Sequence, residues 1–551
     1  MRFPFVVAAA AILGLSLAAC QPQSIGRPPC PAGKRCLEYG NGGDPQTLDP
    51  QRASLTNDYA IIAELIQGLT ENGPNGEPVP GMAERWETSA DGLVWTFHLR
   101  KALWSDGVPV TAHDFVFAYR RMLDPHFASN YSYMLYFLKN GEQVEAGTKS
   151  ADELGVKAID DLTLQLTLEH PAPYMLQLAK HQTFYPVPAH TIQRWGDAWT
   201  LPSHYVSNGP YMLTASKLGD YVRIEKNPRF WDAKDVCIDR IDFYPTTDTT
   251  SAERRVKRGE LDVNNGFQSN RIDFLRHEGK MADYVRVNPY LLTAYITFNT
   301  KDVKAFRDVR VRQALSMDVD RDFLTTKLLR AGQVPTTAFV PGNIAGYVPP
   351  AERPRARWAD WPFERRQAEA RRLLAEAGYG PGHPLKFKLL TSTGSDSLLV
   401  PQALQAEWRL IGVDVTITQQ EGQIVYQSLN TRDFEMSIPG WVADYNDPKT
   451  YLDLMKSGTG QQNYGDYSDP KYDALLNAAD LEPDINKRAK LLAQAEQIML
   501  DDANVAPLYN SVNRNLVSPR VTGWTNNALD VHRALYLCLK DAAPGGTKAI
   551  P

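Results

Sequence analysis

The stretch from residue 385 to 420 constrains the fold more than any other. LKFKLLTS (385–392) and VDVTITQQ (413–420) each alternate apolar and polar residues, the period of a half-buried strand. The residues between them, to about 410, read as a helix. Strand, helix and strand in that order make a βαβ unit, which argues for an α/β domain in the second half. The alternation recurs elsewhere. VWTFHLR (94–100) and LTLQLTLE (162–169) read as strands. TAHDFVFAYRRML starts at Thr111 with Asp114 three residues on, a capping box, and Asp124-Pro125 stops it. FRDVRVRQALSMDVDRDFLTTKLL (306–329) reads as helix broken near Asp320. ERRQAEARRLLAEAGY (364–379) is an amphipathic helix ending at a glycine cap. INKRAKLLAQAEQIMLDDA (485–503) is a second long amphipathic helix, and VAPLYN (505–510) opens a final run of strands. No repeat recurs at a fixed period.

The 551 residues suggest roughly two to four domains. Lys plus Arg is 59 against 64 for Asp plus Glu, a net charge of −5. That balance leaves no basic face for nucleic acid and no polybasic membrane patch. The 25 Tyr and 11 Trp suit core packing and also the walls of a binding cleft.

The amino terminus carries an address. Met1-Arg2 is followed by a nearly all-apolar run from Phe3 to Leu17, then Leu17-Ala18-Ala19-Cys20. The run is short for a membrane-spanning helix. Small residues before a single cysteine resemble a bacterial lipobox, which implies cleavage before Cys20 and acylation there. The competing reading is an ordinary signal peptide with an incidental Cys20. Both export the chain to an oxidising compartment. There Cys30 and Cys36, in CPAGKRC, suit a small disulfide, and Cys237 with Cys538 a long-range one. The alternative is a free buried cysteine at 237 and at 538. No CxxC or HxxxH spacing supports a metal.

No catalytic pattern emerges. GxSxG, HExxH, GxxxxGK[ST] and a strand-linked GxGxxG are missing from the sequence. SDPK (468–471) formally matches SxxK, but it lacks SDN and KTG partners and reads as a helix start. The ten His are scattered, and the densest stretch, His170 to His190, lacks ligand spacing. The chain is therefore expected to be no enzyme and to need no cofactor.

Six stretches together resemble one family: GGDPQTLDP (42–50), VPGMAERWETSADGLVWTFHLRKALWSDGVPVTAHDFVFAYRRMLDP (79–125), LGVKAIDDLTLQLTLEHPAPY (154–174), SNGPYML (207–213), DVRVRQALSMDVDR (308–321) and PGWVADYNDP (439–448). From about residue 37 to 540 the chain is similar to the extracytoplasmic solute-binding proteins of peptide ABC importers, in the oligopeptide-binding branch of family 5. The resemblance implies an α/β fold of the periplasmic binding protein type II-like kind, two lobes with a hinge plus an inserted third domain. It implies a signal peptide at 1–19 and a lipid-anchored tether at 20–36. Domain I would comprise 37–66, 190–291 and 512–542, domain II 67–189 and domain III 292–511, with a tail at 543–551. Cys237 and Cys538 then share domain I.

The same resemblance implies an extended peptide held between the lobes and delivered to permease and ATPase subunits. The protein would be a monomer, lipid-anchored in a bacterial envelope. Asp444 is expected to pair with the peptide α-ammonium, with Gly440 and Trp441 beside it. Tyr131, Ser54 and Thr56 are further expected contacts. Tyr131 competes with a reading as a core residue, and Arg432 is either a ligand partner or a solvated helix-end charge. Ser54 stands where some members carry Glu, and Ile438 where they carry Arg. Leu292 and Val442 stand where some carry a disulfide. The alternatives within the fold are cell-wall peptides, nickel chelates, haem or sugars, and outside it a periplasmic peptidase.

Overall fold

A computed structural model describes residues 29–394 and 396–540. The expected signal peptide, Cys20, most of the tether and the 543–551 tail lie outside the described residues.

Two long strands organise the molecule. Val285–Phe298 and Val505–Val517 run antiparallel, from Val285 opposite Leu516 to Thr297 opposite Val505. Their register shifts between Pro289 and Thr293 and again between Ala294 and Tyr295. Pro289, which has no N–H to give a ladder, sits at the first shift. On one side Val505–Val517 pairs with Val263–Asn265, and the sheet continues through Cys36–Gly40, Arg240–Tyr244, Tyr221–Lys226 and Tyr211–Lys217. On the other side Val285–Phe298 pairs with Met436–Ser437, then come Leu385–Ser392 and Val413–Gln420. A 12-stranded sheet thus runs through two lobes, with these two long strands between them.

The βαβ unit lies in the second lobe. Leu385–Ser392 and Val413–Gln420 are parallel, joined through helix Leu399–Arg409. Trp408 on that helix is fully buried and meets the Phe387 ring edge-on. The helix expected over 306–329 is interrupted as the sequence indicates: Val309–Met317 ends at Asp318, and the Asp320 side chain caps a new turn by accepting the Phe323 N–H at 2.9 Å. SDPK is a helix start, with Asp469 Oδ1 accepting the Lys471 and Tyr472 N–H groups.

The segment 67–189 carries a four-stranded antiparallel sheet ordered Ala83–Thr88, Val94–Leu99, Thr163–Thr167, Val156–Asp160. Helix Ala112–Met122 packs on it. Its first turn is held by Asp114, which accepts the Thr111 N–H at 2.8 Å. Phe115, Ala118, Tyr119 and Met122 form its buried stripe, the i, i+3, i+4, i+7 pattern. This segment shares one core with the first lobe, and that core reaches Trp441, Tyr445 and Tyr451 of the second. The rest of the second lobe packs around its own core, including Phe298, Phe387 and Trp408.

Cys30 is bonded to Cys36 and Cys237 to Cys538, with Cα separations of 5.8 and 5.3 Å. No described helix is long and apolar enough to cross a membrane, and no group of three or more described His, Cys, Asp or Glu is placed to hold a metal.

Candidate functional site

The turn PGWVADYNDP is built onto the hinge. Strand Gly440–Val442 pairs with Val285–Phe298, setting Ala294 opposite Gly440, Thr293 opposite Trp441 and Leu292 opposite Val442. A Cβ on Gly440 would stand 3.1 Å from a Leu292 methyl, so the glycine admits the hinge side chain. Leu292 and Val442 thus form an apolar cross-strand pair. Beyond the strand, Thr450 Oγ1 accepts the Asp444 N–H at 3.0 Å and faces Trp441 Nε1 at 3.4 Å. One hydroxyl thus fixes both residues.

A cleft of about 1120 Å³ opens between the lobes. Ser54 and Thr56 line it from the first lobe, Tyr131 and His181 from the 67–189 segment, and Gly440, Trp441 and Asp444 from the second lobe. Six of the seven residues expected at a ligand therefore share one cavity. Arg432 does not line it. Arg432 ends helix Gly422–Thr431 with φ +60°, and its guanidinium meets Asp466 at 3.0 Å and the carbonyls of Gly460 and Asn463. That leaves its charge occupied by the second lobe itself. Ile438 packs against the second-lobe core.

Asp444 is at the meeting point. Its side chain is 10% exposed. Oδ1 accepts from the Tyr131 hydroxyl at 3.3 Å and faces His181 Nε2 at 3.6 Å. Oδ2 is buried and has no hydrogen-bond partner among the described residues. Burial and then the nearby Asp444 charge push the Tyr131 hydroxyl well above the usual tyrosine range, so it stays a donor. The Tyr131 ring also stacks on Trp441, centroids 6.4 Å apart.

His181 is the functional-site neighbour that sequence reasoning missed. Its Nδ1 faces the Thr183 N–H at 3.4 Å and the Thr183 hydroxyl at 3.1 Å, and its Nε2 faces Asp444 at 3.6 Å. The ring packs against Tyr131 at 5.4 Å and Tyr59 at 6.4 Å. The local sequence KHQTFYP has no motif that marks this.

The far part of the cleft is acidic. Asp44, Asp248 and Glu421 line it, and among the described residues none has a cation at ion-pair distance. Asp44 and Asp248 each lie four residues past the parallel pair Gly40 and Tyr244, so the strands carry them to the same edge. Gln423 Nε2 reaches across the lobes to the Asp44 carbonyl at 3.4 Å, which brings Glu421 near them. The cleft's one lysine, Lys180, is 1% exposed and donates to the Gly76 carbonyl. Burial pulls its amine down to about 8.

Residues 77–463 match the family of bacterial extracellular solute-binding proteins, family 5 Middle. The chain belongs to this family. A family 5 solute-binding protein is a binding protein rather than an enzyme, and it works outside the cytoplasm. The periplasmic oligopeptide-binding protein OppA of Salmonella typhimurium is 36% identical over 499 residues, 90% of each chain. OppA of Haemophilus influenzae, solved in complex with RPPGFSPFR, superposes with a TM-score of 0.88 at 33% identity, covering 92% of this chain and 99% of that one. The murein tripeptide binding protein MppA of Escherichia coli also gives 0.88 at 33% identity, with the same coverage. Its unliganded open form gives 0.66, covering 92% of this chain and 98% of that one. The solute-binding protein therefore has the two-lobed type II-like fold, and its lobes superpose better on peptide-bound OppA than on the unliganded open form of MppA.

Proposed function

We propose that this solute-binding protein is a lipid-anchored receptor that holds a peptide in extended form between its lobes and hands it to an ABC permease and its ATPase. The observation that carries the reading is Asp444, a nearly buried carboxylate on the cleft wall with one oxygen that has no partner among the described residues. A peptide α-ammonium supplies the missing donors, and a charge-assisted bond in a closed cleft is short and strong. Tyr131 and His181 orient the carboxylate through its other oxygen, and Trp441 walls the ammonium end. Strand Gly440–Val442 pairs with one strand among the described residues, so its free edge suits main-chain bonding to an extended peptide. Ser54 and Thr56 contact the ligand from the opposite lobe.

The anchor rests on Leu17-Ala18-Ala19-Cys20 after its apolar run. A second reading, in which the peptide comes from the cell wall, is favoured by the likeness to MppA. Thermal melting tests the receptor. Tetra-alanine should raise Tm by ligand linkage. N-acetyl-tetra-alanine, or tetra-alanine with Asp444→Asn, should give little or no rise. An equal rise with the acetylated peptide would remove Asp444 from the reading. No rise with tetra-alanine, but one with a murein tripeptide, would move the reading to cell-wall ligands. Labelled palmitate should enter the wild type and not Cys20→Ser.

A further inference from the structure

Behind the cleft wall, the 67–189 segment meets the second lobe at a contact made by residues that do not line the cleft. HPAPY (170–174) ends the strand-rich part of that segment, and its Tyr174 stacks on Tyr445, with centroids 5.6 Å apart and planes within 10°. Arg488 Cζ lies 4.9 Å from the Tyr174 ring centre. Arg488 is not free to drift, because both its Nη groups donate to Asp447 at 2.8 Å. Asp447 belongs to the same ten-residue turn as Asp444. A third contact, His170 Nε2 to Asp480 at 3.7 Å, spans the same boundary, and Asp480 is itself held by Lys449 at 2.7 Å. None of Tyr174, Tyr445, Arg488, His170 and Asp480 lines the cleft. Tyr174 and Tyr445 instead border a separate cavity of about 360 Å³.

We infer that Tyr174, Tyr445 and Arg488 form a closure clamp. They are positioning residues that set the free energy of lobe closure independently of the ligand held. The physical argument is one of geometry. A contact between the 67–189 segment and the second lobe exists in full only when the lobes approach, and the lobes here superpose better on the peptide-bound OppA than on the open MppA. The aromatic faces and the guanidinium are desolvated together, so each supports the other. Asp447 and Arg488 are 8% and 2% exposed and belong to one lobe, so their pair persists whether the lobes open or close. It presents a preformed platform, and closure requires Tyr174 to land on it. Apparent affinity is intrinsic affinity scaled by the fraction of molecules able to close, so the clamp's contribution is common to every ligand.

The binding arm of the test rests on the proposed peptide reading, and the shape arm does not. Tyr174→Ala should raise Kd for tetra-alanine and for tri-lysine by the same factor, about tenfold for a lost aromatic pair. Tyr174→Phe should restore both values. Tyr174→Leu keeps an apolar side chain if the alanine variant fails to fold, and should show the same uniform loss. By contrast Asp444→Asn should weaken free-amine peptides and spare N-acetylated ones. Small-angle scattering of the ligand-free protein should show Tyr174→Ala more open than wild type. If neither peptide binds the wild type, the peptide reading fails and scattering alone decides: a more open variant supports the clamp, an unchanged one overturns it. An unchanged Kd for both peptides, or a loss confined to one of them, also overturns it.

Discussion

Asp447 accepts both Nη groups of Arg488 at 2.8 Å, whereas Asp444, three residues earlier, has a hydroxyl at 3.3 Å and an imidazole at 3.6 Å. The two carboxylates share a turn and similar burial, yet they face different regions. Asp447 points into the second lobe and is neutralised by that lobe's own helix, Ile485–Asp501. Asp444 points toward the cleft and is left with an oxygen that no described residue satisfies. The difference teaches that a buried acid paired internally serves the scaffold, while one left open serves a partner.

The comparison breaks first at Arg488. Arg488→Ala strands the Asp447 charge in a buried site, so unfolding in urea should show a loss of about 3–5 kcal/mol. Asp444→Asn should change the ligand-free protein by within about 1 kcal/mol, because its partners are a hydroxyl at 3.3 Å and an imidazole at 3.6 Å rather than a guanidinium. Equal losses for both would mean that the two acids do the same job.

The acidic end of the cleft sharpens it next. Asp44, Asp248 and Glu421 have no cation at ion-pair distance among the described residues, so closure brings like charges together unless a ligand supplies the opposite sign. Calorimetry at low salt should give tri-lysine a lower Kd than tri-glutamate by on the order of tenfold, narrowing in high salt. Glu421→Gln should shrink the difference. A preference for the acidic peptide would contradict the arrangement.

Asp318 supplies the smallest effect and a third kind of acid. It is fully buried at the end of helix Val309–Met317, and burial pushes its carboxyl up to about 7, against the opposing pull of nearby arginines. The folded pKa therefore exceeds the unfolded value. Its contribution to stability is complete below the ordinary carboxylate range and is lost as pH rises toward and through about 7. Tm should fall by a few degrees between mildly acidic and mildly basic buffer, and Asp318→Asn should flatten that slope. A slope unchanged in the variant would show that Asp318 is ionised when folded.

Much of the fold is legible because its signals are local. Period-two alternation marks Val94–Leu99 and Leu385–Ser392, and the Thr111 and Asp114 spacing marks the start of Ala112–Met122. The break near Asp320 is legible too, since an aspartate there competes for backbone N–H groups. The site is legible unevenly. Asp444, Trp441, Gly440, Tyr131, Ser54 and Thr56 meet at one cavity, while Arg432 turns to Asp466. His181 escaped notice because what aims it is a Thr183 N–H on one nitrogen and Asp444, distant in sequence, on the other.

By itself the sequence determined the strand and helix content, the βαβ unit, the helix caps and the presence of two acids in one turn. These follow from periodicity, backbone restriction and side-chain hydrogen bonding within a few residues. Only the tertiary structure decided which acid meets an arginine and which meets the cleft. Arg488 lies 41 residues after Asp447 and Tyr131 lies 313 before Asp444, and the sequence around 439–448 does not record where they arrive.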